Sequence, residues 1–161
     1  MGHTATKELL VARWTELIND PSLRDLPYKI ELNQEGTIEM SPASNRHGIR
    51  QAQIARDLGN ALPHGSVITE CSILTDKGVR VPDVAWASAE LLRQEGENTP
   101  FTRAPEICVE VRSASNTDRE IAEKIRAYLV AGAVEVWIVD EEGGRKIYTP
   151  DGERKTSSFG V

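Results

Sequence analysis

The sequence predicts a mixed α/β domain, and three observations carry that expectation. Segments with helical spacing of apolar residues alternate with short strand-like runs. Neighbouring runs are joined by turn-rich tetrapeptides, which marks hairpins. A helix-patterned segment also lies between the apolar runs 107–111 and 134–139, a crossover that favours parallel pairing of those two strands within an otherwise antiparallel sheet.

The elements follow in order. Residues 4–18 carry Leu10, Trp14, Leu17 and Ile18 at helical spacing, and Asn19-Asp20-Pro21 ends the helix. Residues 28–32 and 37–40 alternate around Asn33-Gln34-Glu35-Gly36 and read as a hairpin. The cap-rich loop 41–45 opens a second helix over 47–62, with Ala55, Leu58 and Leu62 on one face. Two strands, 66–74 and 79–86, are expected to pair across the turn Thr75-Asp76-Lys77-Gly78. A short helix over 89–94 precedes a loose loop, and then the strand 107–111. Thr117 and Glu120 form a capping box for a helix reaching Val130, stopped by Gly132. The strand 134–139, a last arm at 146–149 and a polar tail from about Pro150 complete the chain.

The 161 residues suit a single domain spanning 1–161, with enough chain to bury a core without disulfides or structural metal. Hydrophobic residues at 39% and charged residues at 27% exclude a disordered chain. No apolar run nears the ~18 residues of a membrane helix, and the N-terminus lacks the shape of a signal peptide. The expectation is a cytoplasmic protein with no membrane partner. Cys71 and Cys108 sit in apolar runs and read as reduced core residues. Neither CxxC nor HExxH spacing occurs, which argues against zinc. The net charge of −6 argues against tight, unselective DNA binding, although a local basic surface remains open.

Two carboxylates interrupt apolar strands. Asp83 follows Pro82 in Val81-Pro82-Asp83-Val84, and Glu110 lies in Cys108-Val109-Glu110-Val111. A desolvated carboxylate needs a metal, a cation or several hydrogen bonds. On a period of two, Cys108, Glu110 and Arg112 share a strand face opposite Val109 and Val111. If neighbouring strands bring Asp83 beside Glu110, a hard divalent cation resolves their repulsion, and Mg²⁺ suits such a pair. An ion-pair network with Arg112 or Arg80 is the plainer alternative.

The blocks Met40-Ser41-Pro42-Ala43-Ser44 before His47, Val81-Pro82-Asp83-Val84, Val109-Glu110-Val111-Arg112-Ser113, then Lys124, Tyr128, Gly132 and Glu135-Val136-Trp137-Ile138-Val139-Asp140 form a recognisable series. In this order they resemble the Uma-two family of restriction-endonuclease-like PD-(D/E)XK proteins, over about Leu10 to Ile147. The resemblance implies the nuclease-like α/β fold, with a mixed central sheet flanked by helices, a divalent metal site and a frequently dimeric assembly. Asp83 and Glu110 match the acidic pair, with the carbonyl of Val111 as a further candidate ligand for Mg²⁺ or Mn²⁺. The motif lysine position holds Arg112, which is always protonated and serves poorly as a base. Lys124 matches a lysine of the family on the following helix and is the candidate replacement, with Arg112 as a phosphate clamp or ion-pair partner.

The function this implies is Mg²⁺-dependent endonucleolytic hydrolysis of DNA, with Asp83, Glu110, Lys124 and Arg112 as the catalytic set. The alternative is a catalytically silent nuclease fold kept for binding or assembly, marked by Arg112. Lys124 alongside Arg119, Glu123 and Arg126 also reads as a solvated helix face, and His47 as a cap-region residue or an active-site rim. Arg46, Arg50 and Arg56 read as a solvated face, and Tyr128 and Trp137 as packing. The strand edge after Ile147 is expected to need cover, which adds to the expectation of a homodimer.

Overall fold

The computed structural model describes residues 2–161. Helix α1 (Lys7–Ile18) is capped by the Thr6 hydroxyl, which accepts from the Leu9 N–H, and buries Leu10, Trp14 and Leu17. Ile18, expected on the same face, is exposed. A hairpin of β1 (Tyr28–Leu32) and β2 (Ile38–Pro42) follows, with Ile30 opposite Met40. Ser44 caps α2 (Asn45–Ala61), which buries Ile54 and Leu58.

The next region departs from the sequence reading. Instead of two long strands, the chain forms β3 (Gly65–Ile68), β4 (Ile73–Thr75), β5 (Gly78–Arg80) and β6 (Val84–Ser88). Pairing of β4 with β5 keeps the expected turn, while β3 pairs separately with β6. Two residues account for the split. Pro82 has no N–H to give a ladder, and Glu70 adopts φ 59°, a left-handed conformation that breaks an extended run. Gly78, at φ 99°, closes the turn and lies against the Leu32 carbonyl. No side chain fits there, so the small β4–β5 hairpin seats directly on β1.

Helix α3 (Ala89–Glu95) leads to β7 (Ile107–Arg112), α4 (Asp118–Val130), β8 (Glu135–Asp140), β9 (Arg145–Thr149) and β10 (Gly152–Arg154). These build a six-stranded sheet in the order β10-β9-β8-β7-β6-β3. Only β7 and β8 run parallel, joined by α4, so the sheet is mixed as expected. The capping box on α4 is present.

The sheet has two covered faces. Val109, Val111, Trp137 and Val139 pack with Ile54, Leu58 and Leu62 of the α2 region. On the other face Cys108, Val136 and Ile138 pack with Ile121 and Tyr128 of α4. The period of two places Glu110 on that second face. A third cluster joins α1 to Leu32, Val79 and Val81.

The polar tail expected from Pro150 is corrected by the structure. The β10 strand pairs with β9, covering the edge expected to be open after Ile147. Phe159 and Val161 then fold back onto the core, with the Phe159 ring edge-on to Trp86 at 5.7 Å between centroids. Among the described residues no helix is long and apolar enough to cross a membrane.

Candidate active site

Asp83 stands at the break that Pro82 imposes. The β6–β7 ladder pairs Val84 with Val109, so the residue opposite Val111 is Pro82. Beyond Val84 the ladder has run out, and the Asp83 side chain serves as acceptor: its Oδ2 receives the Val111 N–H at 2.7 Å. The same oxygen lies 3.2 Å from His47 Nε2 on α2.

Glu110 projects from β7 towards α4, where Lys124 and Tyr128 stand one turn apart on the same side. The Tyr128 hydroxyl donates to Glu110 Oε1 at 2.7 Å, and Lys124 Nζ donates to that oxygen at 3.4 Å. The first hairpin supplies the rest. Lys29 and Glu31 alternate onto one face of β1. Lys29 Nζ reaches Asp83 Oδ1 at 3.1 Å and Glu110 Oε2 at 3.3 Å, while Glu31 accepts from Lys124 at 3.1 Å and from the Val81 N–H at 2.8 Å. Three acids, two lysines and a histidine thus interlock. Lys29, His47 and Asp83 line an open cleft of about 620 Å³ that extends past Trp14, Leu17 and Tyr28.

The electrostatics separate the two sequence-predicted acids. Burial pushes the Asp83 carboxyl up, but the His47 hydrogen bond, Lys29 and the Val111 N–H outweigh it and hold it well below the usual range. Glu110 stays raised: burial dominates, and Asp83 and Glu31 add to it against the pull of Lys124 and Lys29. Lys29 is raised, since Glu110, Asp83 and Glu31 together overcome its own burial. His47 is raised chiefly by its hydrogen bond to Asp83.

The structure therefore brings together Asp83, Glu110 and Lys124. Lys124 is not a solvated helix residue: its side chain is 18% exposed and bridges Glu31 and Glu110. Arg112 turns away from the acids, donating to Asp118 and to the Asn116 carbonyl. Val111 meets Asp83 through its N–H, and the carbonyl that joins the cluster is that of Val81, 3.0 Å from Lys29 Nζ. Arg46 and Arg50 are engaged by the turn after β8, at Glu141 and Glu142. Sequence reasoning missed Lys29 and Glu31, and took Tyr128 for packing alone. The available signal was the pair of opposite charges two apart on β1, which an alternating hairpin makes indistinguishable from a solvated face.

Among the described residues, no three His, Cys, Asp or Glu side chains form a ready-made metal cage. The donor chemistry nevertheless fits a hard divalent ion. Two carboxylates and a main-chain carbonyl converge on a single cation, the Lys29 ammonium.

A mixed sheet with helices on both faces, and an acid pair where β6 breaks beside β7, defines a restriction-endonuclease-like α/β protein. The chain belongs to the Uma2 family, described as "Putative restriction endonuclease", whose sequence profile matches residues 20–159. Among solved structures it is similar to a protein from Anabaena variabilis titled a "putative nuclease belonging to DUF820". The two superpose with a TM-score of 0.63 at 17% identity, over 81% of this chain and 83% of that one, a likeness of fold. No curated protein matches the sequence.

Proposed function

We propose that the protein is a metal-dependent endonuclease that hydrolyses DNA phosphodiesters, acting as a single domain in the cytoplasm. The observation that carries this reading is the convergence of Asp83, Glu110 and Lys124 around Lys29, with Asp83 and Lys29 lining an open cleft. Asp83 and Glu110 would hold Mg²⁺ or Mn²⁺, with a main-chain carbonyl of Val111 or Val81 as a further ligand. When bound, such an ion polarises a phosphodiester and lowers the pKa of an attacking water.

The chain's own residues prepare that chemistry. Tyr128 fixes one Glu110 oxygen, and the Val111 N–H fixes one Asp83 oxygen, so both carboxylates are pre-oriented. Lys124 stands beside Glu110, where it would offset negative charge developing on a phosphate. His47 borders the cleft and orients Asp83 from the α2 side. Arg112, tied to Asp118, is left as a peripheral phosphate contact.

The test combines supercoiled-plasmid cleavage with calorimetric titration of Mn²⁺. Wild type should bind Mn²⁺ and nick DNA, and Asp83→Asn should lose both. A second reading, a silent nuclease fold used for binding, draws on Arg112 at the motif lysine position and on the lysine ion pairs that already hold the acids. Metal binding without cleavage of any DNA would favour it. A homodimer belongs to the same proposal: β3 and β10 are the outer strands of the sheet and could extend it across two copies. Light scattering should report two copies at micromolar concentration, and a stable monomer would remove the dimer.

A further inference from the structure

The Lys29 ammonium meets three oxygens from separate parts of the chain: Val81 O at 3.0 Å, Asp83 Oδ1 at 3.1 Å and Glu110 Oε2 at 3.3 Å. An ammonium has three N–H donors, and these three oxygens take one each, so the site saturates it. Oxygen donors of this kind, gathered on one point, are also what Mg²⁺ or Mn²⁺ selects. The two cations have the same place to go.

The two lysines of the cluster differ in how they are held. Lys124 rises from the middle of α4 and is tied to Glu31 as well as Glu110. Lys29 sits on the two-stranded β1–β2 hairpin, outside the six-stranded sheet. Its side chain is 21% exposed and lines the cleft. A flexible four-carbon stem at a cleft wall can swing its head into water without disturbing the backbone. Charge favours the exchange. The cluster sets three carboxylates against two lysines, and a dication in place of the Lys29 head brings those carboxylates one more positive charge.

We propose that Lys29 is a tethered placeholder for the divalent ion. In the metal-free protein its ammonium occupies the cation position, which keeps two buried carboxylates compensated, and metal binding drives it out into the cleft. The inference deepens the proposed metal site and rests on it.

Mn²⁺ is titrated into wild type, Lys29→Met and the Asp83→Asn, Glu110→Gln double variant, with free Mn²⁺ counted by its EPR signal. If Lys29 fills the site about nine-tenths of the time, its removal should tighten binding roughly tenfold, because apparent Kd scales inversely with the open fraction. Equal or weaker binding by Lys29→Met, with binding lost in the double variant, overturns the placeholder and leaves the metal site standing. Absence of binding in all three overturns both. Should Lys29→Met fail to fold by circular dichroism, wild type alone decides the question. Acylation with an amine-reactive ester, read by peptide mass spectrometry, should label Lys29 faster in Mg²⁺ than in EDTA. Unchanged or slower labelling overturns the proposal.

Discussion

Glu110 on β7 and Glu135 on β8 are both buried, at 3% and 1% exposed, on adjacent parallel strands. They are held by different kinds of partner. Among the described residues Glu135 accepts only from neutral donors: the Trp137 indole N–H, the hydroxyls of Ser157 and Ser158, and the Ser158 N–H. Burial raises it, yet those donors win and keep it below the usual carboxylate range. Glu110 shares two ammonium groups with two other acids and stays raised. Fixed neutral donors make a structural anchor, here for the C-terminal segment. Charged partners on flexible stems make a site whose occupant can change. Burial alone does not separate the two, but partner chemistry does.

The largest effect should come from Glu110→Gln. We expect DNA cleavage to fall at least about a thousandfold, or ~4 kcal/mol of barrier, with near-UV circular dichroism retained. Single-turnover cleavage measures it, and a modest loss would break the contrast. Glu135→Ala should do the reverse, costing about 3 kcal/mol in urea unfolding by orphaning the buried Trp137 indole N–H and releasing the part-buried donors of Ser157 and Ser158. Its Mn²⁺ affinity should match wild type. A shift in that affinity would show that the two acids are not independent.

His47 sharpens the comparison through pH. Its folded pKa is raised above the ordinary histidine value of about 6.5, so its bond to Asp83 stabilises fully below that value and fades as pH rises through the folded pKa. Wild type should therefore exceed His47→Gln by about 1.5 kcal/mol at acidic pH, with the gap closing on the alkaline side. Urea titrations at a series of pH values check the sign. The smallest effect belongs to Arg112→Ala. Its partner Asp118 is almost fully exposed, so the stability cost should stay under ~1 kcal/mol. Arg112→Lys should not raise cleavage, and a rise would return the strand position to the chemistry.

Much of this was legible in the sequence, for identifiable reasons. The α4 crossover and the parallel β7–β8 pair follow from a capping box between two apolar runs. Asp83 and Glu110 stand out because a carboxylate in an apolar strand is costly. Lys124 was visible only through the resemblance, since its own helix looks solvated. The split of the 66–86 region turned on Pro82 and Glu70, whose effects on backbone outweighed an unbroken apolar pattern. The 152–161 segment looked like a tail because its anchors, Glu135 and the Trp86 face, lie far away in sequence. Lys29 and Glu31 were hidden for a similar reason: their polar face of β1 is covered by tertiary docking, which periodicity does not encode.

The docking of the first hairpin sets a timetable for the protein. Glu110 and Lys124 are 14 residues apart and can meet within one strand–helix unit. Lys29 must span 54 residues to Asp83 and 81 to Glu110. Closing loops of that size costs chain entropy before any contact repays it. In chain order the hairpin comes well before its partners, so Lys29 and Glu31 lack them until the later elements are made. The acids become a matched set only when the last of these long loops closes. Partial chains, cleavage fragments and misdocked folds then lack the complete cluster, which ties its assembly to the finished fold.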